Sequence, residues 1–173
     1  MTDSSPEVDL AKLAARAADV TDERELAQLR HAADEAIEEA ARSDDFRQRA
    51  IAFRAVGQMR FRAKTELLRR GLEDDSPACR GSAVLSLELL SRDHPRVVNQ
   101  VRPLLHQLAN ADPNAAVRRL AVLALKNTSP QPDTIVLLDH LAASDEEDRE
   151  LRQAAAKVVE ALKKKTRERA RHH

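Results

Sequence analysis

The chain has 173 residues, 42% of them hydrophobic and 34% charged, which is a globular composition with length for one domain and excludes a disordered polyelectrolyte. Three glycines, three phenylalanines and no tryptophan or tyrosine leave little to build sheet from, whereas Ala, Leu, Arg and Glu favour helix. The formal net charge is zero, and no apolar run approaches the roughly 18 residues that a membrane span needs.

The first predicted helix starts at Pro6 or Glu7 behind a Ser4/Ser5 cap, carries Val8, Leu10 or Ala11, Leu13 and Ala14 on one side, and ends near Val20. Thr21 or Asp22 caps a second, acidic helix running to about Arg42, with Leu26, Leu29, Ala33, Ile37 and Ala40 on one stripe and Glu35, Glu38 and Glu39 outside. Arg30 with Ala33 and Ile37 fits the repeat described below. It lies too few residues before Arg49 to belong to a helical pair, so residues 1–43 read as an N-terminal cap. From Asp44 the expected helices cover 45–58, 60–73, 77–91, 96–110, 113–126 and 132–143, with a last one from about 146. Pro77, Pro95, Pro113 and Pro132 fall in first turns, where a missing N–H costs nothing. Pro103 lies inside a helix, so that helix should kink or begin nearer Val101.

Four arginines recur with an alanine three residues on and an aliphatic residue seven on: Arg49/Ala52/Val56, Arg80/Ala83/Leu87, Arg118/Ala121/Leu125 and Arg152/Ala155/Val159. Each follows an acidic turn, marked by Asp45, Asp75, Asp112 and Asp145, and the intervals of 31, 38 and 34 residues imply tandem helical hairpins stacked in a solenoid. The residue before the arginine, the alanine and the aliphatic position share one helical face, as in Cys79/Ala83/Leu87 and Val117/Ala121/Leu125. The small central alanine lets neighbouring helices approach. Cys79, the only cysteine, cannot form an internal disulfide and reads as a small core residue. Gln48 breaks the pattern in the first hairpin, so its face is expected to be partly solvated or covered by the cap helices.

These residues resemble the HEAT-repeat superfamily, especially its bacterial short-repeat branch of phycobiliprotein-lyase-like repeats. The closest stretch is 101–125, with Pro103, Leu104 and Leu105, then Asp112-Pro113, then Val117-Arg118, Ala121 and Leu125. The resemblance covers roughly residues 44–162 and implies an all-α superhelix of about three to four antiparallel hairpins. It also implies that turn Asp and following Arg form a structural ladder: Asp75, Asp112 and Asp145 with Arg80, Arg118 and Arg152, and Asp45 with Arg49. Arginine's planar fork suits it to join a carboxylate and stacked carbonyls. Residues 1–43, 44–162 and 163–173, the last a basic helix end, then form a single structural domain.

The sequence carries no motif for catalysis or metal binding. Among His31, His94, His106 and His140 no pair has metal-ligand spacing, and no His precedes a Glu as in the superfamily's iron-dependent hydroxylases. Gly57, Gly71 and Gly81 cannot build a phosphate loop, and nothing marks a tetrapyrrole pocket. The chain therefore reads as a non-enzyme with no cofactor and no metal.

Charge is segregated: residues 1–45 sum to −8, 46–80 to +5, 81–162 to −2 and 163–173 to +5. The leading expectation is a scaffold binding a protein partner through a concave face, with candidates Arg60, Arg62, Lys64, Arg69, Arg70, Asn99, Arg102, His106, Lys163, Lys164, Lys165 and Arg167. The surface continues through Gln100, Gln107, Asp133, Asp139 and His140. In helix 60–73 the inward stripe is Phe61, Thr65, Leu68 and Leu72, while Arg62, Glu66, Arg69 and Glu73 alternate in sign outside; Arg60, Lys64 and Arg70 are left less neutralised. The alternative is nucleic-acid binding through Arg60–Arg70 and the basic tail, and a third reading is self-association of acidic cap with basic stretch. The acidic opening is unlike a signal peptide, and the expected location is cytoplasmic, with no membrane partner.

Overall fold

The computed structural model describes residues 8–172, and among them are ten α-helices, one 3₁₀ turn and no strand. The chain divides into two compact units, one reaching Leu89 and the other beginning at Leu90.

In the first unit α1 (Leu10–Asp19) is capped by Asp9, whose carboxylate accepts from the Lys12 N–H. The expected start at Pro6 or Glu7 and its Ser4/Ser5 cap lie outside the described residues. Val8 is exposed, and Leu10, Ala14 and Ala17 are the buried side chains of α1. Asp22 caps α2 (Glu23–Ala41), which buries Leu26, Leu29, Ala33 and Ile37. Both helices pack on α3 (Phe46–Gln58). Gln48 is exposed there, and burial of α3 falls on Ala52, Phe53, Ala55 and Val56.

The helix expected from residue 60 is not observed as such. Arg60 has φ 48°, the Phe61 N–H returns to the Val56 carbonyl, and the Arg60 N–H bonds Gly57. This pair of bonds is the Schellman ending, in which the left-handed residue is usually glycine. An arginine there hides the stop signal, and the chain resumes with a 3₁₀ turn (Arg62–Lys64) before α4 (Thr65–Gly71). Leu67, Leu68 and Leu72 are buried, while Phe61 and Thr65 are only half-buried.

α5 (Pro77–Ser91) opens on its proline. The Cys79 thiol donates to the Phe46 carbonyl at 3.2 Å and the Ser86 hydroxyl to the Phe53 carbonyl at 2.5 Å, each across 33 residues. The equal offset means that α3 and α5 run parallel in fixed register. Their approach depends on small side chains, since a Cβ added to Gly57 would sit 2.6 Å from the Ser86 Cα.

In the second unit α6 (Arg96–Gln100) and α7 (Arg102–Ala111) meet at Val101, so the break expected from Pro103 occurs and Pro103 lies in the first turn of α7. α8 (Ala115–Leu125) is capped by Asn114, which accepts from the Val117 N–H. Pro113 therefore precedes the helix, contrary to the expected first-turn position. α9 (Pro132–Ala143) begins at its proline, and α10 (Arg149–Arg171) starts three residues later than expected because Asp148 is the cap. α8 packs on α7 and on α10, α10 also packs on α9, and α7 lies beside α9. The core between them holds Leu105, Leu125, Leu138, Leu141, Leu151 and Leu162, all fully buried. Each such leucine contributes about 1.5–3 kcal/mol.

Candidate functional site

The repeated arginines act at the turns. Arg49 donates through Nε and Nη2 to both oxygens of Asp74, at 2.9 and 3.0 Å, and also reaches Asp75 Oδ1 at 2.9 Å. Its Nη1 holds the carbonyls of Ser43 and Asp44, six and five residues behind it. Arg80 repeats the second half of this geometry on the carbonyls of Asp74 and Asp75. Each of the two thus clamps its own entry turn, and Arg49 also takes a carboxylate from the next. Burial alone would raise the Asp74 carboxyl, but Arg49 and the Ser76 N–H hold it below its ordinary value.

In the second unit Arg118 donates through Nε to the Ala109 carbonyl and through both terminal nitrogens to Glu147, at 2.6 Å each. The Arg118 fork, chiefly, keeps the Glu147 carboxyl low and the guanidinium correspondingly harder to deprotonate. One partner assignment from the sequence needs correction. Asp45 caps α3 through the Arg47 N–H, so it is not the partner of Arg49. Asp112 accepts from the Asn114 N–H and its charge also acts on Arg118, whose guanidinium pairs with Glu147. Asp145 faces Arg152 at 3.6 Å but is fully solvent-exposed, which leaves that contact weak.

The basic stretch of the first unit is less free than its sequence suggests. Lys64 places Nζ 2.5 Å from Asp34 and 2.7 Å from Glu38, with only 15% of its side chain exposed. Burial disfavours its charge, but the two carboxylates prevail and raise its pKa. Arg60 donates to the Val20 carbonyl, while its own carbonyl and that of Met59 are held by Arg30 at 3.0 and 2.8 Å. Both cations, read from sequence as poorly neutralised, are fastened to α2 and to the loop before it. Arg69 pairs with Glu66 and Glu73 as the alternating stripe implies, and Arg62 and Arg70 are exposed.

Asn99 and Arg102 form a connected polar cluster in the second unit, and His106 lies one turn beyond Arg102 on α7. Asn99 Oδ1 accepts from Arg102 Nη2 and from the Ser129 N–H, and Arg102 also donates to the Ser129 hydroxyl and carbonyl. His106 Nε2 lies 2.9 Å from the buried Thr134 hydroxyl. Burial lowers the His106 pKa, helped by Arg102 and opposed by Asp133. Asn99 and Arg102 thus fasten the loop between α8 and α9 and His106 fastens the first turn of α9, so the three half-buried residues have structural work.

On α10, Lys163 pairs with Asp139, Lys164 lies 3.9 Å from Glu168, and Lys165 donates to the Lys126 carbonyl. Arg167 is exposed. Cys79 is fully buried, and burial raises its thiol pKa. Among the described residues, no group of three or more His, Cys, Asp or Glu is placed to hold a metal, and no helix is long and apolar enough to cross a membrane.

Sequence reasoning missed Asp74 and Glu147 as arginine partners, and Arg30 as a staple. The signal for the first was present: Ser43, Asp74 and Asp112 each lie six residues before a repeat arginine, and each accepts the N–H two residues on. No protein-family model matches the chain, and no curated protein matches it in sequence.

Proposed function

We propose that the chain is a non-enzymatic scaffold of HEAT-like helical repeats that binds another protein through its second helices. The observation that carries this reading is the outward surface of α7 and α9. In a chain that is 34% charged, the exposed residues of α7 are Pro103, Gln107, Asn110 and Ala111. The adjacent α9 adds Val136, which is 68% exposed. Charge depletion along the exposed side of α7 is the composition of an interface centre, and on α9 the exposed Asp133, Asp139 and His140 supply a polar rim around Val136. The arginine clamps and the shared stacking of α7 with α9 and α8 with α10 support the repeat reading.

The nucleic-acid alternative is the weaker one, because Lys64 and Arg60 are already engaged within the first unit. The scaffold reading is tested by placing a photo-crosslinker at Val136 and at Gln107, with one at the exposed Gln28 as a control. Reproducible capture of the same protein at the first two positions, abolished by Val136→Asp, supports it. Equal labelling at all three positions, or none, would count against it.

A further inference from the structure

α10 stays helical for nine residues beyond Leu162, its last buried side chain, and residues 163–171 include six cations against one acid. At about 1.5 Å per residue this is about 13 Å of helix. It carries no apolar stripe, and the usual source of helix stability is packing of such a stripe. Within this segment Lys163 is balanced by Asp139 and Lys164 faces Glu168. Lys165, Arg167, Arg169 and Arg171 have no acidic partner among the described residues. Lys165 also converges with Lys126 and Arg169, and burial together with those two charges pushes its pKa down. A place where cations already repel one another gains most from an anionic surface.

The first unit supplies the opposite sign. Lys64 is used on Asp34 and Glu38, Arg30 on Glu23 and Arg16 on Glu25. Glu35 and Glu39 stand one turn apart on the exposed side of α2, with no cationic partner among the described residues. They belong to a segment whose net charge is −8.

We propose that the cationic end of α10 docks on the acidic outer face of α2 in a second copy of the chain, as a head-to-tail contact. A nucleic acid fits less well. Residues 163–171 contain no aromatic side chain, so the segment itself offers no base a stacking platform. The contact is heterologous, so successive copies extend or close into a ring. It does not involve the α7 and α9 surface and stands whether or not that surface binds a partner.

Sedimentation velocity on the full chain tests this, at about 0.01 M salt, where charges act over about 30 Å, and at about 1 M, where they act over about 3 Å. The expected result is concentration-dependent association at low salt and monomer at high salt. Lys165→Glu/Arg169→Glu and Glu35→Lys/Glu39→Lys should each be monomeric at low salt, and an equimolar mixture of the two should associate again. Circular dichroism checks that both variants keep their helix content; if the α10 variant loses it, Arg167→Glu/Arg171→Glu takes its place. Wild-type monomer at low salt, association indifferent to both variants, or a mixture that stays monomeric would each overturn the proposal. So would tight binding of a short oligonucleotide by the α10 end without self-association.

Discussion

Arg118 and Glu147, 29 residues apart, meet through two contacts of 2.6 Å each, which ties the turn before α10 to the start of α8. Arg118 also holds the Ala109 carbonyl at 3.0 Å, so one planar group fixes two chain segments at once. Its side chain is 17% exposed and that of Glu147 is 19%, which shields the pair from much of the solvent.

Glu147→Gln removes the charge and one prong of this pair, and it should lower stability by about 2 kcal/mol, the usual worth of hydrogen bonds to a charged group. Asp145→Asn, at the fully exposed acid 3.6 Å from Arg152, should change stability by less than about 0.5 kcal/mol. Urea denaturation of both variants measures the contrast, and equal effects would contradict the assignment of partners.

Arg60 holds a left-handed backbone that costs a side-chain-bearing residue about 1 kcal/mol. The anchor to Val20 and the grip of Arg30 on its carbonyl offset that cost. Arg60→Ala keeps the strain and loses the anchor, while Arg60→Gly loses both. The glycine variant should therefore be the more stable of the two, by about 1 kcal/mol in thermal or urea unfolding.

Lys64→Met should destabilise the first unit by about 1 kcal/mol, a figure that allows for the solvent around Asp34 and Glu38. Arg70→Ala, on the exposed side of α4, should be neutral within about 0.5 kcal/mol. If unfolding measurements gave the same result for both, Lys64 would be the surface cation that sequence suggests.

His106 titrates below its ordinary 6.5 because it is buried. The folded chain then binds that proton less readily than the unfolded chain, so stability is full above pH 6.5 and declines as pH falls below it. The slope for one proton is at most about 1.4 kcal/mol per pH unit. Asp74 and Glu147, both held below their ordinary 3.8 and 4.5, add a second loss that begins only as pH falls toward those values. Urea midpoints across this range should show the upper leg vanish in His106→Gln while the lower one remains.

Helix positions were legible because periodicity and proline placement are local properties: the Pro103 break, the start of α9 and the α2 stripe from Leu26 to Ile37 are all observed, Ala40 alone being half-buried. The end of α3 was not, since the residue that usually announces a Schellman turn is glycine and here is Arg60. Pairing was legible in kind but not in address. The runs Asp74-Asp75 and Asp145-Glu146-Glu147-Asp148 offer several carboxylates within one turn, and only the three-dimensional path decides which one meets the guanidinium. Lys64 was misjudged for the same reason, its partners lying 26 and 30 residues away on α2.

The spacing between Gly57 and Ser86 gives that crossing a one-sided tolerance. Ser86→Ala takes away a hydroxyl from carbonyls that lie within a helix, so the crossing can lose atoms cheaply. It cannot gain them: any Cβ at position 57 meets the Ser86 backbone, which has no rotamer to move aside. A larger residue there would lever α3 away from α5, and the 33-residue register and the Arg49 grip on Asp74 would be lost in the same movement.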